Sequence, residues 1–286
     1  MGTEPIWPGR FLSVHLRFSR GVITIAVVVV VLAVGITFGL YQLLKRADPM
    51  VVPEAYCTVR TPLGDRDLDI EQAQVSATIA AVAARRKLPE RAVVIAYATA
   101  LQESKLYNVE YGDRDSVGIF QQRESQGWGK KKQIMDPVYA TNRFFAALVK
   151  VKGYRKMPLA EAAQAVQRSA AGEAYAPHEE EAKLLAQAFT GRVPKALHCW
   201  YPPEAGQSAT PRPRAGEARR QLTRALGSTS ITSARRGWLV AAWSVAHAQK
   251  YDLRRVTYSG ATWSNDMRLT EWQQGGKAGA RKVELA

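Results

Sequence analysis

Residues 100–129 read ALQESKLYNVEYGDRDSVGIFQQRESQGWG, the place where an apolar helix gives way to a polar, glycine-rich loop. The preceding residues, within 90–106, carry AVVIAYATAL, apolar nearly all round, which is the pattern of a helix buried on every side. Glu103 stands at its end. Burial disfavours the charged form of a carboxylate, so a glutamate in this setting suits a general acid near neutral pH. The plain alternative is a solvated glutamate paired with Lys105 or Arg114. Residues 107–133 lack periodicity and are expected to form a long functional loop with a short helix near 116–122.

Outward from this stretch, helical spacing of alanine, valine and isoleucine predicts a helix over 70–87 with Asp69 as N-cap and cations in its last turn. Further helices are expected over 137–151, 158–170 and 179–190, with no strong strand between 57 and 200. Residues 201–215 are rich in proline and small polar residues and read as a linker. Helices over 215–226 and 233–251, then a hairpin turning at Ser259-Gly260, make residues 216–286 a small basic α+β module. The expected fold class is therefore mainly α, with an N-terminal transmembrane helix, a helical domain over 57–200 and that module.

Residues 21–44, GVITIAVVVVVLAVGITFGLYQLL, hold no ionisable side chain apart from Tyr41. A bilayer core of about 30 Å needs about 20 apolar residues in a helix. A cleaved signal peptide would have a shorter apolar stretch ending at small residues, whereas Lys45 and Arg46 follow here. The reading is a retained single-pass anchor of a cell-membrane protein, with residues 1–20 a cytoplasmic tail and 45–56 a stalk kept extended by Pro49 and Pro53. Cys57 and Cys199, at the two ends of the helical segment, suit a disulfide made in an oxidising compartment; a reduced pair is the alternative.

Net charge is +15, and residues 204–286 hold 14 Lys and Arg against 6 Asp and Glu. Such a surface attracts polyanions. Anionic wall polymers, or envelope-assembly proteins, are its expected partners outside a membrane, and no nucleic acid is expected. Asp65, Asp67 and Asp69 alternate but lack the glycine and closing glutamate of a calcium loop. His178, His198 and the two cysteines are the residue types of a zinc site, but a disulfide beside a surface histidine is simpler. No metal and no cofactor are expected. Trp238, Trp243, Trp263 and Trp272 would either build a small core or stack on sugars.

Gln102-Glu103-Ser104 followed by Ser116-Val117-Gly118-Ile119-Phe120-Gln121-Gln122 resembles the lysozyme-like fold of soluble lytic transglycosylases, in the manner of membrane-anchored actinobacterial cell-wall proteins. The resemblance covers about residues 68–200. It implies Glu103 as catalytic acid and base, Ser104 as its hydrogen-bond partner, and Gly118, Gln121 and Gln122 as lining of a glycan cleft, with peptidoglycan strands as substrate. The family's Ala-Tyr-Asn segment is replaced here by Ala163-Gln164-Ala165-Val166-Gln167-Arg168-Ser169. Gln167 is expected to stand in for the asparagine amide and Tyr175 for the aromatic hydroxyl. The implied function is cleavage of glycan strands by one carboxylate; the alternative is a non-catalytic lysozyme-like scaffold or glycan-binding protein of an envelope assembly.

Overall fold

The computed structural model describes residues 19–46, 54–168, 172–202 and 212–286. Most of the expected tail (1–20), residues 47–53 of the stalk with both its prolines, and 203–211 of the linker lie outside them. The chain divides into two units, residues 1–52 and 53–286. In the first, α1 (Arg20–Arg46) is one continuous apolar helix whose stretch Arg20–Leu43 is long and apolar enough to cross a membrane.

The second unit begins with strand β1 (Tyr56–Thr61), which turns back into β2 (Gly64–Leu68) and also pairs with β5 (Leu197–Trp200). Cys57 and Cys199 face each other across β1 and β5 and are joined as a disulfide. Helix α2 (Ile70–Arg85) follows, its start fixed by the Asp69 N–H donating to Gln72 Oε1 at 3.0 Å. Helix α3 (Glu90–Ser104) is the buried centre: every residue from Ala92 to Leu101 is at most 6% exposed. Around it lie α4 (Lys131–Ile134), α5 (Pro137–Leu148), α6 (Leu159–Gln167), a 3-10 segment (Gly172–His178) and α7 (Glu179–Phe189). Asp136 caps α5, accepting the Val138 and Tyr139 N–H groups, with Pro137 in the first turn.

Two features depart from the sequence reading. The fold is mixed α/β rather than mainly α, because small antiparallel sheets accompany the helices. The β1 sequence YCTVRT alternates, but its partner β2 is GDRDL, poor in strand formers. It is held by cross-strand pairs, Thr58 Oγ1 to Asp67 at 2.9 Å and Arg60 to Asp65 at 3.8 Å. Second, the expected short helix near 116–122 is a two-rung hairpin, β3 (Ser116–Val117) with β4 (Gln122–Arg123). Gly118 at φ +80 and Gln121 at φ +47 bring left-handed backbone into its turn, which no helix tolerates.

Residues 212–286 belong to the same compact unit as the helical segment. They form α8 (Ala215–Leu226), α9 (Ala234–Ala246), and a sheet in the order β8 (Gln273–Gln274), β7 (Ala261–Ser264), β6 (Arg255–Tyr258), β9 (Glu284–Leu285). Helices α8 and α9 pack on α2. Gly191, just after α7, lets α9 approach: a Cβ there would lie 2.1 Å from Arg235 O. Trp243, Trp263 and Trp272 are buried, so they build core.

Replacing both Cys57 and Cys199 by alanine opens a loop of 142 residues and is expected to lower unfolding stability by roughly 2–5 kcal/mol, read from denaturant melts under oxidising conditions. Reductant should destabilise the parent and leave the variant unchanged. A second expectation concerns acid. Burial, with Arg60 adding, pushes the His198 imidazole down to about 4, and burial pushes His247 down to about 3 against the opposing bond to the Trp243 carbonyl. Both lie below the ordinary 6.5, so the unfolded chain binds protons that the folded chain refuses. That stability is fully present above pH 6.5 and is lost as pH falls toward 4 and 3. The melting temperature should already fall between pH 6.5 and about 5, before most carboxylates titrate.

Candidate active site

Helix α3 ends abruptly. Lys105 (φ +53) and Leu106 (φ +65) both adopt left-handed backbone, and their N–H groups donate to Leu101 O and Ala100 O at 3.1 Å each. These bonds close the last turn, with Leu106 fully buried behind it. Gln72 Nε2 from α2 donates to Lys105 O at 2.9 Å, so the exit direction of the chain is fixed from a second helix. Glu103 is therefore held on the final turn, half-buried.

Two side chains from elsewhere grip its carboxylate. The fully buried Tyr175, on the 3-10 segment, donates its hydroxyl to Glu103 Oε1 at 2.8 Å. Gln167, the last residue of α6, donates Nε2 to the same oxygen at 3.1 Å and to Phe120 O at 2.7 Å. Two acceptors around one nitrogen settle the orientation of that amide. Gln167 Oε1 is buried without a partner, and Glu103 Oε2 accepts no hydrogen bond among the described residues. The Tyr175 segment is tied down twice more, by His178 Nε2 with Gln102 Oε1 at 3.0 Å and by Arg91 with Glu179 at 2.9 Å.

The structure thus brings Glu103, Gln167 and Tyr175 together. The other expected site residues build the adjoining loop. Ser104 is not bonded to the Glu103 carboxylate; its hydroxyl donates to Ile119 O at 2.9 Å, joining helix end to hairpin. Gly118 is needed for packing as well as for its turn, since a Cβ there would lie 3.0 Å from Ile134 O. Gln121 Nε2 bridges Tyr111 O and Gly118 O at 3.3 and 3.2 Å, within its own loop. Gln122 is 1% exposed and donates to Ala140 O at 3.2 Å, a core role. The Phe120 carbonyl and the Gln102–His178 pair leave no pattern in the sequence, the first being a backbone acceptor and the second a pair of side chains brought together only by the fold.

The loop holds two more carboxylates. Asp115 accepts the Ser125 N–H at 2.8 Å, Arg123 Nε at 2.9 Å and the Ser125 hydroxyl at 2.8 Å, which hold it well below the usual carboxylate range, the backbone bond contributing most. Asp113 is exposed, 3.8 Å from Arg114. Asp115 is thus a structural clasp. No three His, Cys, Asp or Glu side chains among the described residues converge as metal ligands, and the disulfide leaves no free thiolate.

In an Asp115→Ala variant the Ser125 amide loses its acceptor. Hydrogen exchange over residues 113–126 should accelerate by about tenfold or more while exchange in α3 stays unchanged.

No family model matches the chain, and no curated protein matches it.

Proposed function

We propose that this protein is a membrane-anchored enzyme that cleaves the glycan strands of peptidoglycan, with Glu103 acting first as acid and then as base. The observation that carries this reading is the grip on Glu103: one carboxylate oxygen takes both the Tyr175 hydroxyl and the Gln167 amide, while the other has no hydrogen-bond donor among the described residues. A catalytic carboxylate must be oriented and still keep an atom for substrate. Protonated Glu103 gives its proton to the glycosidic oxygen, and the bond from that oxygen to the muramic C1 breaks. The resulting carboxylate takes the proton of the muramic C6 hydroxyl as that oxygen bonds to C1. The product is a 1,6-anhydro sugar, and water takes no part.

The engagement of Asp115 supports a mechanism with one carboxylate, because two-carboxylate glycosidases need a second group directed at the sugar. The disulfide supports an extracytoplasmic location for the residues it joins, and with α1 as a single membrane helix that location would put the N-terminus inside. The basic residues 212–286 suit anionic wall polymers as a secondary contact.

Purified sacculi incubated with the full chain in detergent micelles should release anhydro-muropeptides, analysed by mass spectrometry. Glu103→Gln should lower release by about 10²- to 10⁴-fold. Tyr175→Phe, which removes one of the two hydrogen bonds that orient Glu103, should lower it by about 10- to 100-fold. Reducing-end products would replace the transglycosylase by a hydrolase. Binding without products would replace the enzyme by a glycan-binding scaffold, and full activity in Glu103→Gln would sink the site.

A further inference from the structure

A second cleft, of about 620 Å³, opens between α2, the turn at 135–138, α8 and the residues that end α9. Its volume falls within the range of about 300 to 1,000 Å³ of small-ligand sites. Four side-chain amides belong to its polar lining. Gln74, Gln221 and Gln249 make no side-chain hydrogen bond among the described residues, and Asn108, which donates to Met135 O at 2.8 Å, keeps its Oδ1 buried without a partner. Trp243 forms part of the wall, its indole N–H also buried without a partner. Both of those atoms are closed off from solvent, so the amides open to a ligand in the cleft are those of Gln74, Gln221 and Gln249.

Charge narrows the ligand. The protein carries +15, yet this cleft is lined by two acidic and two basic side chains. Asp136 and Arg224 bond to each other. Glu71 has only its Oε1 engaged, by the Asn108 N–H at 2.9 Å, and Lys250 lies over the Tyr251 ring at 6.0 Å with no acidic partner among the described residues. One carboxylate and one ammonium thus remain, on different elements of a cleft that also holds the unengaged amides of three glutamines. A polyanion finds no excess of positive charge here. A ligand with both amino and carboxylate groups and amide bonds finds a partner for each kind of group.

We propose that this cleft binds a short peptide bearing both an amino and a carboxylate group, of the kind presented by peptidoglycan stems. Naming the stem rests on the glycan-strand reading above; the peptide chemistry does not.

The test is calorimetric titration of the full chain in detergent micelles with the tetrapeptide L-alanyl-γ-D-glutamyl-L-lysyl-D-alanine. Saturable binding is expected, weakened about tenfold or more in a Gln74→Ala/Gln221→Ala variant whose melting temperature is unchanged. A similar loss is expected in Lys250→Ala, and for the tetrapeptide with its amines acetylated and its carboxylates amidated. Glu103→Gln should bind like the parent. Absence of binding, equal affinity in the amide variant, or equal affinity for the blocked peptide would each overturn the proposal. If sacculi yield no glycan products while the tetrapeptide binds as described, the glycan reading falls and the peptide site stands.

Discussion

An apolar helix that stops inside a protein must find partners for its last carbonyls, and much of this structure follows from that requirement at α3. Its residues from Ala92 to Leu101 are buried on all sides, so other helices must surround it. Helices α2, α5, α6 and α7 do so. At the C-terminal end, the left-handed Lys105 and Leu106 turn the backbone so that two N–H groups satisfy Leu101 and Ala100. Glu103 inherits its position from this closure. A frayed end would leave the carboxylate free to turn into solvent; a closed one presents it to whatever α6 and the 3-10 segment bring alongside.

The sheet edge poses a related problem. β5 pairs with β1 on one side only, and the alternate carbonyls of Leu197 and Cys199 face away from that partner. Both accept indole N–H groups, from Trp272 and Trp263, each at 2.9 Å. Unpaired strand edges invite association with other chains. Here tryptophans from residues 212–286 cover the edge, which explains why those residues and the helical segment form one unit. The Tyr201 hydroxyl, donating to Leu253 O at 2.6 Å, extends the same seam.

How much of this was readable depended on the physical origin of each feature. The helices around α3 carry periodic apolar residues, and their observed bounds differ from the expected ones by a few residues at most ends. Strand β2 was hidden, because GDRDL earns its pairing from cross-strand contacts with residues elsewhere rather than from its own propensity. Glu103, Gln167 and Tyr175 could be nominated from sequence, the last two only as substitutes for a missing Tyr-Asn pair. Their convergence on one oxygen is a property of three elements meeting. Gln121 and Gln122 show the opposite failure. Adjacent and chemically identical, they differ in exposure because Gln121 lies in the turn with left-handed backbone while Gln122 is the first residue of β4, a distinction that a helical reading of the segment does not make.

The convergence also answers an electrostatic difficulty. Glu103 lies in the last turn of α3, and its partner Gln167 is the last residue of α6, so two helix C-termini meet at the site. Helix C-termini carry partial negative charge, which repels a carboxylate. Both helices end in non-glycine residues, Lys105 and Arg168, at the same φ +53 and ψ +36, although glycine would adopt that backbone with less strain. Each cationic side chain stands where it complements its helix dipole, which glycine could not do. The remaining repulsion is met at short range by the two donors, Tyr175 and Gln167, which bind one oxygen and leave the second without a hydrogen-bond donor among the described residues. An oxygen left open in this way can accept a hydrogen bond from whatever enters the site.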